Sequence, residues 1–125
     1  MELLAEVEQH HQDLARWLGS EAEPGLLDTF GAAHRPEFTL VTIDGVKLDL
    51  ASLLTGLADG RNAVPGLKIG IEEFEVVVRT AEVAVCRFLE RHSAGSLRRT
   101  IAVLTADPAG RNGVRWLAVQ ESPVL

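Results

Sequence analysis

The sequence predicts an α+β domain in which three N-terminal helices pack on a strongly bent antiparallel sheet. Three observations carry that expectation. Apolar residues recur at helical spacing in three stretches before residue 61, and they alternate with a period of two after residue 66. In the first long alternating stretch the parity of the alternation changes, and such a change bends a strand. Residues 1–125 are read as one domain, because a chain of this length buries about two thirds of its unfolded surface around one core.

Residues 2 to 18 place Leu3, Leu4, Val7, His11, Leu14 and Leu18 on one helical face, with Glu2, Glu6, Gln9, Asp13 and Arg16 turned away. Gly19-Ser20 closes this helix. Pro24, tolerated in a first turn, opens a second helix expected to reach about His34, where Arg35-Pro36 ends it. The segment FTLVTIDGVKL reads as a hairpin around the Asp44-Gly45 turn. Asp49 is the expected N-cap of a third helix, LASLLTGLADG, which stops at Gly60. Strands follow at about 67 to 79, 83 to 92, 97 to 106 and 114 to 122. In the first of them Leu67, Ile69 and Ile71 are odd-numbered whereas Phe74, Val76 and Val78 are even-numbered, which predicts a β-bulge at Glu72-Glu73.

Composition narrows the function classes. With 46% hydrophobic and 24% charged residues the chain is an ordinary globular one. No apolar run approaches the roughly 20 residues needed to cross a bilayer, so no membrane partner is expected. The opening MELLAEVEQHH carries acidic residues in a helical pattern, unlike a secretory signal, and the cytoplasm is the expected compartment. A formal net charge of -6 argues against nucleic acid as a partner. The lone Cys86 among apolar neighbours reads as a core thiol. No glycine-rich phosphate loop, Ser-His-Asp spacing or metal-ligand cluster is present, and neither a metal nor a cofactor is expected. The chain has no tyrosine, which excludes any mechanism that polarises a carbonyl with a tyrosine hydroxyl.

Pairing the strands through their turns predicts which residues share a face. If His92 stands opposite Leu97, Glu90 falls opposite Arg99; if Ala106 stands opposite Val114, Arg99 also falls opposite Glu121. On that register Glu90, Arg99 and Glu121 form the charged end of a face otherwise made of Cys86, Phe88, Ile101, Val103, Leu117 and Val119. These residues, without Cys86 and with Trp17 as a wall, are the expected ligand pocket; for Trp17 the competing reading is plain core between the helices and the sheet. The opposite face would carry Arg87, Leu89, Leu104, Trp116 and Ala118 as the centre and rim of a dimer interface.

The segment order resembles the nuclear-transport-factor-2-like superfamily, and within it the SnoaL-like group, over nearly the whole chain. The resemblance rests on EFTLVTIDG followed by the Asp49 helix, on the GxxxR spacing of Gly95 and Arg99, and on the ending GVRWLAVQES. It implies a cone-shaped fold, dimerisation through the sheet, and a pocket that different members use for catalysis, for binding or only for assembly. Ala118 and Gln120 stand where relatives often carry histidines.

Three functions therefore compete. The first is a dimeric domain that binds a small apolar or acidic molecule, with Arg99 at the pocket mouth. The second is a cyclase-, isomerase- or dehydratase-type enzyme using Glu90 or Glu121 as base and Arg99 as anion stabiliser. The third is a dimerisation module without a ligand. A plain cross-strand ion-pair network also explains the Glu90, Arg99 and Glu121 triplet. Among the remaining polar residues, His11 is expected packed, His10 solvated, His34 at a helix C-terminus, His92 exposed, Asp44 in its turn, and Glu73 and Glu75 on a wet face.

Overall fold

A computed structural model describes all 125 residues. Helix α1 spans Leu3–Gly19, α2 Gly25–Ala32 and α3 Leu50–Asp59. The strands are β1 His34–Val41, β2 Lys47–Asp49, β3 Ile69–Arg79, β4 Val83–His92, β5 Leu97–Ala106 and β6 Val114–Pro123. They form one open, curved sheet in the order β2-β1-β6-β5-β4-β3. The expected sheet was antiparallel throughout; one pairing departs from that, since β1 runs parallel to β6.

The local signals act as the sequence predicts. Asp49 caps α3 by accepting from the Ser52 N–H at 2.8 Å. The β3 bulge lies where the parity change puts it: the pairing with β4 skips between Glu72 and Glu75, and Glu73 sits in the left-handed region at φ 52°. Helix α2 ends earlier than expected. Ala33 gives its carbonyl to the Trp116 N–H at 2.9 Å, and His34 already pairs with Trp116, so the sheet captures the chain before the helix can extend.

The register departs from expectation in two places. Arg91, not His92, stands opposite Leu97, so Glu90 faces Arg98 and Leu89 faces Arg99. The cause is the hairpin loop: the His92 N–H donates to the Ser96 carbonyl at 2.9 Å, so the turn closes over three residues, with Gly95 at φ 104°, in place of the four expected. Ala106 does stand opposite Val114, but Leu117 is skipped as a bulge, after which Thr100 faces Glu121 and Arg99 faces Ser122.

Every inner position of β5 is therefore even-numbered. Ala84, Cys86, Phe88, Ala102, Leu104 and Trp116 are fully buried and, with Leu3, Val7, Phe38 and Val114, make the main core between α1 and the sheet. Leu104 and Trp116 lie in that core and not on the outer face assigned to them above. Arg99, Ile101 and Val103 fall on the outer face, because the slip at Gly95 moves all of β5 by one residue. Trp17 belongs to a second, smaller cluster with Ala22 and Leu26, where its Nε1–H donates to the Leu57 carbonyl at 2.6 Å.

Candidate functional site

The buried stripe of α1 runs Leu3, Val7, His10 and Trp17, with Glu6 and His11 beside it, while Leu4 is 46% exposed. It is rotated by about 50°, half a residue's turn, from the expected face. Both His10 and His11 are consequently buried, at 6% and 5% exposure. They meet Phe30 of α2, Leu53 of α3, His34, Phe38 and Leu40 of β1, Glu90 of β4, and Trp116, Val119 and Glu121 of β6 around a cavity of about 60 Å³. Larger hollows, of about 470 and 650 Å³, are open surface grooves away from these groups.

Glu90 is the electrostatic centre of the cavity. It is 2% exposed and takes Thr100 Oγ1–H on Oε2 at 2.6 Å and His92 Nε2–H on Oε1 at 3.1 Å. His11 Nε2 lies 3.4 Å from Oε2, and His11 Nδ1 donates to the Val7 carbonyl at 2.7 Å. With a carbonyl at one nitrogen and a carboxylate at the other, both nitrogens of His11 are donors, which is the imidazolium form. Burial alone would lower His11, but the hydrogen bond and charge of Glu90 overcome it and leave His11 raised. Burial alone would raise Glu90, but His11, His92 and Thr100 hold it well below the usual carboxylate range.

Glu121 behaves in the opposite way. Burial and the charge of Glu90 push its carboxyl up, against the pull of Arg98, whose Nη1 lies 3.3 Å away. Two carboxylates in one cavity thus differ in their readiness to hold a proton.

A third element is a histidine pair. His10 Nε2 and His34 Nε2 stand 3.0 Å apart, and His34 Nδ1 donates to the Phe30 carbonyl at 2.8 Å. The His10 ring stacks on Trp116 with centroids 3.9 Å apart. Trp116 Nε1–H in turn donates to Glu6 at 2.8 Å, and Arg111 grips the same carboxylate through Nε at 2.8 Å and Nη2 at 3.0 Å. Glu6, expected on the wet face of α1, is fully buried because Arg111, Asn112 and Trp116 satisfy it.

The expected pocket residues divide as follows. Glu90, Glu121 and Val119 line the cavity, and Phe88 lies beneath it against His11, ring centroids 5.3 Å apart. Arg99 does not join them: its side chain is 44% exposed and lies 3.7 Å from Glu73. Ile101 and Val103 lie on the outer face with it, Leu117 is the bulge residue, and Trp17 is in the helix cluster. Of the expected interface, Arg87, Leu89 and Ala118 are outer-face positions, although Leu89 is only 5% exposed.

The histidines were missed as site residues. His92 is half-buried on Glu90, not exposed, and His34 holds a helix carbonyl as expected but faces the cavity. The available signal was the unbroken i, i+4, i+3 series Leu3, Val7, His10, Leu14 and Trp17, which places His10 at the centre of the buried stripe.

No group of three or more His, Cys, Asp or Glu side chains is arranged to hold a metal ion, and no helix is long and apolar enough to cross a membrane.

Among solved structures, a protein of unknown function from Pseudomonas aeruginosa with this fold is 25% identical, matches 100% of both chains and superposes with a TM-score of 0.87. The fold is that of the nuclear-transport-factor-2-like (NTF2-like) superfamily. An NTF2-like protein of unknown function in nutrient uptake from Rhodospirillum rubrum is 13% identical over 98% of both chains, with a TM-score of 0.72. A proposed dehydratase of the NTF2-like family from Streptomyces avermitilis is 15% identical over 98% of this chain and 93% of its own, with a TM-score of 0.73. No protein-family model matches the sequence, and neither does any curated protein.

Proposed function

We propose that this chain is a homodimeric binding domain that takes a small, uncharged molecule into the cavity beneath its three helices. The observation that supports this most is the lining itself: a largely apolar, partly open hollow lined by His10, Glu90 and Glu121 among its polar groups. With Arg99 on the outer face, the cations near the carboxylates are already paired, Arg98 with Glu121 and His11 with Glu90, and an acidic ligand finds no free counter-charge. A volume of about 60 Å³ is far below the roughly 300 Å³ of a drug-sized pocket. The ligand is correspondingly small. Dimerisation is proposed through the outer sheet face, where Ile101 is 37% exposed and Val78 50% exposed, with Arg87 and Arg99 nearby.

The test is a titration of methyl-labelled protein with small organic probes, read at Leu53 and Val119. Saturable shifts confined to the cavity lining support binding. Probes that move no cavity resonance would leave the dimerisation module as the better account.

The unequal carboxylates favour a second reading, a SnoaL-like enzyme of the dehydratase or isomerase kind. There Glu121, nearer to protonation, would take and return a carbon-bound proton while Glu90 stays ionised on His11. Solvent-deuterium exchange into a bound small ketone, lost in Glu121→Gln with binding intact, would distinguish this enzyme from the binding domain.

A further inference from the structure

The turn Arg111–Gly113, which leads into β6, carries an Asn-Gly pair and meets the N-terminal half of α1. Such a pair is chemically labile. The Gly113 nitrogen can attack the carbonyl carbon of the Asn112 side chain, because glycine has no side chain to hinder the approach; the new N–C bond expels ammonia and closes a succinimide. Water then opens that ring at either carbonyl, leaving aspartate or, with the backbone rerouted through the side chain, isoaspartate. Amide and water go in, acid and ammonia come out, and water is the only co-reactant. The chain has one other asparagine, Asn62, which precedes Ala63 and serves as an internal comparison.

In the folded chain both reacting groups are held. Asn112 Nδ2 lies 3.0 Å from Glu6 Oε1 and 3.3 Å from Gln9 Oε1, two oxygens that only accept, so the amide is fixed as a donor to α1. The Gly113 N–H donates to the Gly110 carbonyl at 3.0 Å, and Asn112 and Gly113 both hold left-handed backbone, at φ 56° and 78°. The Asn112 carbonyl takes the Glu2 N–H at 2.9 Å, which ties the start of α1 to the same turn. We propose that Asn112–Gly113 is a deamidation site gated by the docking of α1, and that its product frees the start of that helix. Aspartate at 112 would set a carboxylate where Glu6 Oε1 now receives an N–H, beside a group that is fully buried. Isoaspartate would turn the carbonyl that holds Glu2 into a free carboxylate and lengthen the backbone by one methylene before Gly113. Either product removes a contact that fastens α1 to the sheet.

The experiment incubates the full chain at mildly alkaline pH, folded and in urea, and locates the amide-to-acid mass gain by digestion and tandem mass spectrometry. In urea Asn112 should convert well ahead of Asn62. In the folded chain conversion should be at least about tenfold slower, the value of one hydrogen bond to a charged acceptor. Gln9→Ala, an exposed change that removes one acceptor, should speed it by up to about fivefold with the fold intact. The isolated acidic product and Asn112→Asp should both unfold at lower urea than the parent and lose amide-exchange protection at the start of α1. No conversion in urea overturns the site. Equal rates in the folded and unfolded chain, or a Gln9→Ala rate equal to the parent's, overturn the gate, and a product as stable as the parent overturns the release of α1.

Discussion

Acidification should destabilise this protein through His34, and the loss can be worked from the structure. Its imidazole is 2% exposed, donates to the Phe30 carbonyl and faces His10, so protonation would place a charge where no carboxylate touches it. The folded value of about 4 lies below the ordinary 6.5, so the unfolded chain binds the proton more tightly. The sign is therefore fixed: the stabilisation is present above pH 6.5 and is lost as pH falls toward 4. A difference of about 2.5 pH units amounts to about 3.4 kcal/mol in full, of which about 1.8 kcal/mol disappears between pH 7 and pH 5. His11 and Glu121, both raised, act in the opposite direction over this range, so the chain must be compared with a variant. His34→Gln keeps a donor for Phe30 and an acceptor for His10 but cannot titrate. Urea unfolding at both pH values should show a loss smaller by about 1.8 kcal/mol in the variant than in the parent. Equal losses in the two proteins would refute a buried neutral His34.

Three further outcomes follow from particular contacts. Arg111→Ala leaves the Glu6 carboxylate buried without its counter-ion and should cost about 3–5 kcal/mol in urea unfolding, with Arg111→Lys recovering only part because the bidentate grip is lost. Glu73 holds a left-handed conformation that costs a side chain about 1–2 kcal/mol, so Glu73→Gly should match or exceed the parent in denaturation midpoint, whereas the β-branched Glu73→Val should fall below it. Ile101→Asp on the outer sheet face should yield monomers in light scattering with stability nearly unchanged; dimers that persist would place the interface elsewhere.

The elements were legible because their signals are local. Asp49 caps α3 through a hydrogen bond three residues away, and the bulge at Glu73 is written in the parity of its neighbours. The faces were less legible, because a face depends on register and register depends on single residues that absorb one position. Gly95 moved β5 by one, and Leu117 moved the end of β6 by one. Those two shifts brought Glu90 and Glu121 to the cavity together, as expected, and sent Arg99 out of it. On α1 the ambiguity was angular. Leu4 is apolar and exposed while Glu6 and His10 are polar and buried, an inversion that becomes favourable only once Arg111 and His34, distant in sequence, supply partners. Hydropathy along one helix holds no information about such partners.

What occupies the space between His10, Glu90 and Glu121 decides whether the cavity is a ligand site. The decisive measurement is a high-resolution crystal structure of the protein, grown without added ligand and then soaked in 2-propanol. The expected result is one alcohol molecule in the cavity among His10, Glu90 and Glu121, with the pairing of Glu90 with His11 unchanged. A cavity closed by its own Leu14 or Leu53 side chain, with no alcohol among the histidines, would contradict it.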